Sequence, residues 1–226
     1  MRAALPIGSW ECFRDARSWA LQMELPRVFP IFPLESVVLL PGTLLPLHIF
    51  EPRYRAMVDD AMASDSLLAM GLLTQCTRDE YRERPPFHER VCVGQILRRE
   101  QLAGGRSNIL LLGVSVGLAT AREDGLAYRT ADVTLEEDLA DLTPVDDPLL
   151  WKAFLGSSPG TEDVEELRSH LANLVPHRDL GAAMVGACAV SAKVAALSKL
   201  ELLGERSVQK RLEKLVELIE RPWQWN

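Results

Sequence analysis

Four prolines, at positions 26, 30, 33 and 41, interrupt the first apolar stretch of this chain and rule out a helix there. Proline has no N–H to donate, and it pushes the residue before it into extended backbone. The runs VFPIF and VVLL within Val28–Leu40 are therefore predicted to be extended. Pro41-Gly42 then marks a turn, and Leu44–Phe50 is a further extended run. A chain that starts this way must bury its first apolar residues in sheet.

Glu51-Pro52 opens the clearest helix of the front half, with proline at a tolerated first position and an acid suited to the helix dipole. Tyr54, Met57, Val58, Ala61 and Met62 fall on one stripe at helical spacing. Leu67–Thr74 has the length and apolarity of a buried strand, and Thr77–Glu89 reads as a polar loop. Val91–Leu102 and Ser107–Gly117 flank Ala103-Gly104-Gly105-Arg106, a hairpin pattern in which glycine supplies positive φ. Tyr128–Leu135 adds another strand.

The pattern changes after that. Between Asp132 and Asp147 stand seven acids and no lysine or arginine, which predicts an exposed connection. Beyond it the spacing is helical. A short helix runs from Asp147-Pro148 to Leu155, and a second from Thr161 to Pro176. A long small-residue helix runs from Asp179 to about Leu203, Gly204 breaks it, and a last helix carries Val208, Leu212, Leu215, Val216 and Ile219. The expected class is α+β, a mostly antiparallel β domain followed by a C-terminal helical bundle. The expected divisions are an N-terminal extension over 1–24, a β-rich domain over 25–140 and a helical subdomain over 141–226. Residues 1–22 fit no element, which makes Met23 the expected functional start.

Charge and cysteine usage narrow the function. The net charge of −7 and a pI near 5.2 oppose binding to a phosphate backbone unless basic residues cluster. Arg78, Arg82, Arg84 and Arg90 are interleaved with Asp79, Glu80, Glu83 and Glu89, so no basic stripe forms and nucleic acid is not an expected partner. Cys12, Cys76, Cys92 and Cys188 form no CxxC pair, and the four histidines show no HExxH spacing, so no metal or cofactor is expected. Reduced cysteines of this kind suit a cytoplasmic protein. The uncharged stretch Leu180–Ala192 is too short for the about 20 residues a bilayer span needs.

Pro30 to Met62, PIFPLESVVLLPGTLLPLHIFEPRYRAMVDDAM, resembles the opening signature of the LON substrate-binding domain family. VCVGQILRREQLAGGRSNILLLGVSVG from Val91, LAYRTADV from Leu126, and the tail around Leu202-Leu203 and Val208–Leu215 follow in the family's order. The resemblance implies a PUA-like β structure ahead of the helices. It also implies a non-catalytic module for unfolded or apolar polypeptide, acting with a protease or chaperone. The chain holds no GxxxxGK[ST] phosphate loop, so neither the ATPase nor the peptidase of a Lon protease is expected of it.

The run His48-Ile49-Phe50-Glu51-Pro52-Arg53-Tyr54 is the most distinctive in the chain. His48, Phe50, Glu51, Arg53 and Tyr54 are the candidate peptide-binding residues. The competing expectation is structural, with Phe50 and Tyr54 in the core and Glu51 and Arg53 fixing the helix start. Leu44, Leu45 and Leu47, or Leu110–Leu112, are alternative apolar contacts. Two further functions remain open at this point. One is RNA binding by a PUA-like fold. The other is a serine hydrolase, since Gly113-Val114-Ser115-Val116-Gly117 matches GxSxG and Asp141 and His170 follow in the required order. The hydrolase needs Ser115 on a strand-to-helix turn, whereas the surrounding pattern predicts a hairpin. Trp223 and Trp225 are expected to dock on the bundle.

Overall fold

The computed structural model describes residues 27–137, 139, 177–191 and 194–220. The expected helices before Pro176, the extension before Arg27, the terminal tryptophans and the acidic connection beyond Glu137 (Leu139 apart) lie outside the described residues. The strands are β1 (Arg27–Leu34), β2 (Leu44–Ile49), β3 (Leu67–Leu73), β4 (Phe87–Gln101), β5 (Ser107–Ala121) and β6 (Arg129–Glu136). Helices α1 (Pro52–Ala63) and α2 (Arg78–Glu83) lie among them, and α3 (His177–Ser191), α4 (Ala196–Gly204) and α5 (Val208–Glu220) follow.

The sheet runs β2-β5-β4-β3-β1-β6, and β6 also pairs with β5, so five strands close into a ring. All pairings are antiparallel except β1 with β3. Closure is possible because β5 is long. Its first half, Ser107–Leu112, carries β2, and its second half, Val116–Ala121, carries β6. Two register shifts where β4 crosses β5, at Val93/Gly94 and Ile96/Arg98, provide the bend. The β4–β5 turn holds Gly104 and Gly105 at φ 74°, a conformation that favours glycine.

Alternate residues of the ring point to opposite sides. Phe29, Ile31, Leu67, Ala69, Val91, Val93, Ala119, Ala131 and Val133 fill the interior, with every ring strand contributing. Three alanines suit the narrow bore of a five-stranded barrel. The other face packs a larger core that includes Tyr54, Met57 and Val58 of α1, Leu39 and Leu40, and Met184, Val185, Leu203, Leu212 and Leu215 of the C-terminal helices. The outer face of the barrel and the helices thus share one core, and the bore holds a second.

Three expectations change. The predicted loop 77–89 contains α2, because Thr77 and Glu80 form a capping box: the Thr77 side chain accepts from the Glu80 N–H, and the Glu80 carboxylate accepts from the Thr77 N–H at 2.7 Å. The long helix predicted from Asp179 starts at His177 and is divided, since Ala195 is extended (ψ 150°) and α4 begins after it. Met62, placed on the apolar stripe of α1, is 39% exposed, because that stripe narrows at the helix end.

α3 is rich in small residues because it crosses the Pro41-Gly42 turn at close range. A Cβ on Gly42 would stand 2.8 Å from the Ala183 Cβ, and one on Gly186 would stand 2.8 Å from the Thr43 methyl. At the other end of the helical part, the buried Arg211 donates to the Glu205 carbonyl from Nε at 3.1 Å and closes the α4–α5 turn. Leu139 N–H donates to the Arg206 carbonyl, and Arg206 Nε donates to the Glu137 carbonyl at 2.9 Å, tying the end of β6 to the helices.

Candidate functional site

Among the described residues β2 pairs with β5 alone, and none of them covers its other edge. Its burial alternates: Leu44, Pro46 and His48 are exposed, while Leu45 and Leu47 lean into the core and Ile49 is buried. Phe50 continues the outward row. At 59% and 54% exposure, Phe50 and Leu44 are among the most exposed large apolar side chains of the described residues. The His48 ring stacks on Phe50 with centroids 6.0 Å apart, and His48 Nδ1 lies 2.8 Å from Asn108 Oδ1 on β5. Asn108 Nδ2 in turn donates to Glu100 on β4. The result is an apolar ledge of Leu44, Pro46 and Phe50 with one polar end. Proline at the centre of β2 fits an edge strand, where its missing N–H breaks no ladder.

The second half of the distinctive run turns inward. Tyr54 is buried, with its ring 4.4 Å from that of Phe32, and burial pushes its hydroxyl pKa up. The Arg53 guanidinium lies between the rings of Tyr54 (4.6 Å) and Tyr81 (4.7 Å). It pairs with Glu51 at 3.0 Å and donates to the Tyr81 carbonyl at 2.6 Å. The Tyr81 hydroxyl donates to the other Glu51 oxygen at 3.2 Å, and burial raises its pKa, helped by the Glu51 charge. Glu51 makes no side-chain cap to α1. The trio Glu51–Arg53–Tyr81 instead clamps α2 against the start of α1. The structure therefore brings His48 and Phe50 to the surface beside Leu44 and Pro46. It puts Glu51, Arg53 and Tyr54 to work behind them. Pro46, absent from the candidate set, was findable from the period-two alternation of LLPLHIF.

Tyr81 also lines a cleft of about 490 Å³ with Glu35, Thr74, Cys76 and Arg78, at the carboxyl ends of the parallel pair β1 and β3. Cys76 is half-buried there as a free thiol.

The hydrolase reading of Ser115 is overturned. Ser115 lies inside β5, paired across to Val93, and its Oγ donates to the carbonyls of Val116 (3.4 Å) and Glu136 (3.3 Å). No strand-to-helix turn lifts it. The two glycines of the motif answer to packing. A Cβ on Gly113 would run into the Leu40 carbonyl oxygen, and one on Gly117 would meet Val133 Cγ1 at 2.5 Å. Asp141 and His170 lie outside the described residues. Among the described residues no group of three or more His, Cys, Asp or Glu is placed to hold a metal, and no helix is long and apolar enough to cross a membrane.

Comparison with known proteins agrees with this architecture. The chain is similar to a Lon protease of Geobacter metallireducens, with 29% identity over 111 residues, which is 47% of this chain and 13% of that protein. It thus spans a small part of that relative's length. Its fold is similar to that of a Lon N-terminal domain protein from Xanthomonas campestris, with TM-score 0.62 and 23% identity over 85% of this chain and 99% of the other. The N-terminal domain of a Mycobacterium avium complex Lon protease superposes with TM-score 0.62 at 18% identity, over 87% of this chain and all of that domain. Residues 28–221 match the family model of the ATP-dependent protease La (LON) substrate-binding domain, and the chain belongs to that family.

Proposed function

We propose that this chain is a non-catalytic polypeptide-recruiting module, and that it takes extended apolar segments on the outward face of β2, for hand-over to a protease or chaperone. The observation that carries the reading is the row Leu44, Pro46, His48 and Phe50, left uncovered by the described residues on a strand that they pair along one edge, in a chain of a substrate-binding family. Covering Leu44 and Phe50 is worth on the order of 1–2 kcal/mol each for half-exposed side chains. That is enough for weak, sequence-tolerant capture. Pro46 offers no N–H to an added strand, so a bound segment lies across the ledge and gains more from side-chain contact than from a continued hydrogen-bond ladder. A PUA-like identity for the barrel belongs to the same reading.

The test is fluorescence anisotropy with a labelled, thiol-blocked unfolded protein. The wild-type chain binds it, and Leu44→Ser/Phe50→Ser weakens binding by about 30-fold or more, the equivalent of about 2 kcal/mol or more. Equal binding by the two proteins would overturn the assignment.

A further inference from the structure

We propose that a groove at the far end of α1 is a second docking surface, suited to a basic polypeptide segment that carries an aliphatic side chain between cationic ones. The groove, of about 240 Å³, lies between the C-terminal half of α1 and the loop 122–128 that enters β6. Its apolar walls include Val28 and Leu126, which are 50% and 45% exposed. Large aliphatic side chains that line one groove and stand half in water are surface that a partner would cover.

The rim is acidic. Among the described residues Asp60, Asp65 and Asp124 line the groove, and no lysine, arginine or histidine does. Asp60 accepts from the Tyr128 hydroxyl at 2.7 Å, and Asp124 accepts from the Thr130 hydroxyl and from the Leu126 N–H at 3.4 Å. The Thr130 hydrogen bond also keeps the Asp124 carboxyl below the usual carboxylate range, so it is charged at neutral pH. The arginines around the loop have other partners. Arg122 pairs with Asp132 at 3.0 Å, while Arg129 and Arg84 pair with Glu123 at 2.9 and 3.3 Å.

Charge complementarity selects the occupant. Lysine and arginine lay an apolar stem on apolar surface and keep the charged tip in water or on a carboxylate. Val28 and Leu126 offer the surface, Asp60 and Asp124 the charge. The net charge of −7 attracts such a segment at long range and repels an acidic one. The surface is separate from the β2 ledge. Phe50 precedes α1, the groove lies past its middle, and the 12 residues of the helix span about 18 Å.

The experiment is an anisotropy titration of the full chain with the labelled peptide Lys-Leu-Lys-Leu-Lys and with its Glu-for-Lys counterpart. The lysine peptide binds and the glutamate peptide does not. Asp60→Asn/Asp124→Asn, which keeps the hydrogen-bond acceptors, weakens binding at least about fivefold. So does 0.5 M salt, where the screening length falls to about 4 Å. Leu44→Ser/Phe50→Ser leaves it unchanged. Should the double Asn variant lose its folded circular dichroism spectrum, Leu126→Lys in the exposed loop must produce the same loss of binding. Absence of lysine-peptide binding, binding unaffected by the groove variants, or binding lost in the β2 variant would each overturn the proposal. Only the last implicates the ledge.

Discussion

Gly113 joins three parts of the molecule. Its N–H donates to the Thr43 carbonyl, its carbonyl accepts from the Gly42 N–H, and the Leu40 carbonyl occupies the space a Cβ would need. Thr43 Oγ1 completes the node by donating to the Leu40 carbonyl at 2.7 Å. Gly113→Ala is therefore expected to destabilise the fold by about 1–3 kcal/mol in urea unfolding, since backbone must shift to admit one methyl. Ser115→Ala, two residues further along β5, removes only a hydroxyl with long hydrogen bonds and is expected to cost less. A motif that reads as a nucleophile elbow in sequence is thus a pair of packing glycines, and sequence alone could not distinguish them because both demands are met by the absence of a side chain. Arg53 makes a similar point. Its planar guanidinium stacks between two rings while pairing with Glu51 and with a carbonyl, a set of contacts that an ammonium cannot reproduce. Arg53→Lys is expected to lose about 1–2 kcal/mol of stability, and to raise hydrogen exchange across α2, which the clamp holds.

The elements were legible in proportion to how local their causes are. Prolines placed the extended segments, and the stripe of α1 placed its buried residues Tyr54, Met57, Val58 and Ala61. The T-x-x-E of Thr77 and Glu80 was equally local, yet six residues without a buried side chain gave no apolar period to support a helix. Thr77→Ala is expected to raise amide exchange over 78–83 selectively while leaving the barrel amides protected. The break between α3 and α4 has no glycine or proline to announce it. It follows from where Leu202 and Leu203 must reach the shared core. The β2 ledge was visible as alternation, but a strand with one row in water and one in the core looks the same in sequence whichever row faces out.

At the scale of the whole molecule, barrel and helices should unfold together. The residues of α3, α4 and α5 cover the outer face of the same strands whose inner face lines the bore. Leu212→Ala, at a fully buried position, is expected to cost about 2–5 kcal/mol, with near- and far-ultraviolet circular dichroism transitions remaining coincident. A barrel that stays folded after the helices melt would disprove that coupling. Stability should also fall at both ends of the pH scale. The carboxyls of Glu80, Asp124 and Glu205 lie below their ordinary values of 4.5, 3.8 and 4.5, held there by hydrogen bonds from Thr77, Thr130 and Lys214 respectively. A depressed acid contributes stability above its unfolded pKa and loses it as pH falls through the folded one, so the urea midpoint drops below about pH 4. Tyr54, Tyr81 and Tyr128 are raised above 10.0, chiefly by burial, so their contribution is present below pH 10 and is lost as pH rises beyond it. Asp124→Asn should flatten the acid limb, and a limb of unchanged slope would show that this carboxyl does not contribute.

By itself the sequence determined the kind of most of the described segments: extended where prolines exclude a helix, and helical where apolar residues recur every three or four positions. Those properties depend on neighbours within one or two turns of chain. Tertiary structure alone decided that β5 would carry β2 on one half and β6 on the other, closing the ring. The same closure turned Arg53 inward, left Phe50 in water, and gathered Asp60 of α1 with Asp124 of a distant loop. Each of those outcomes depends on which faces meet across the core, and no local pattern encodes a meeting between residues 60 or more positions apart.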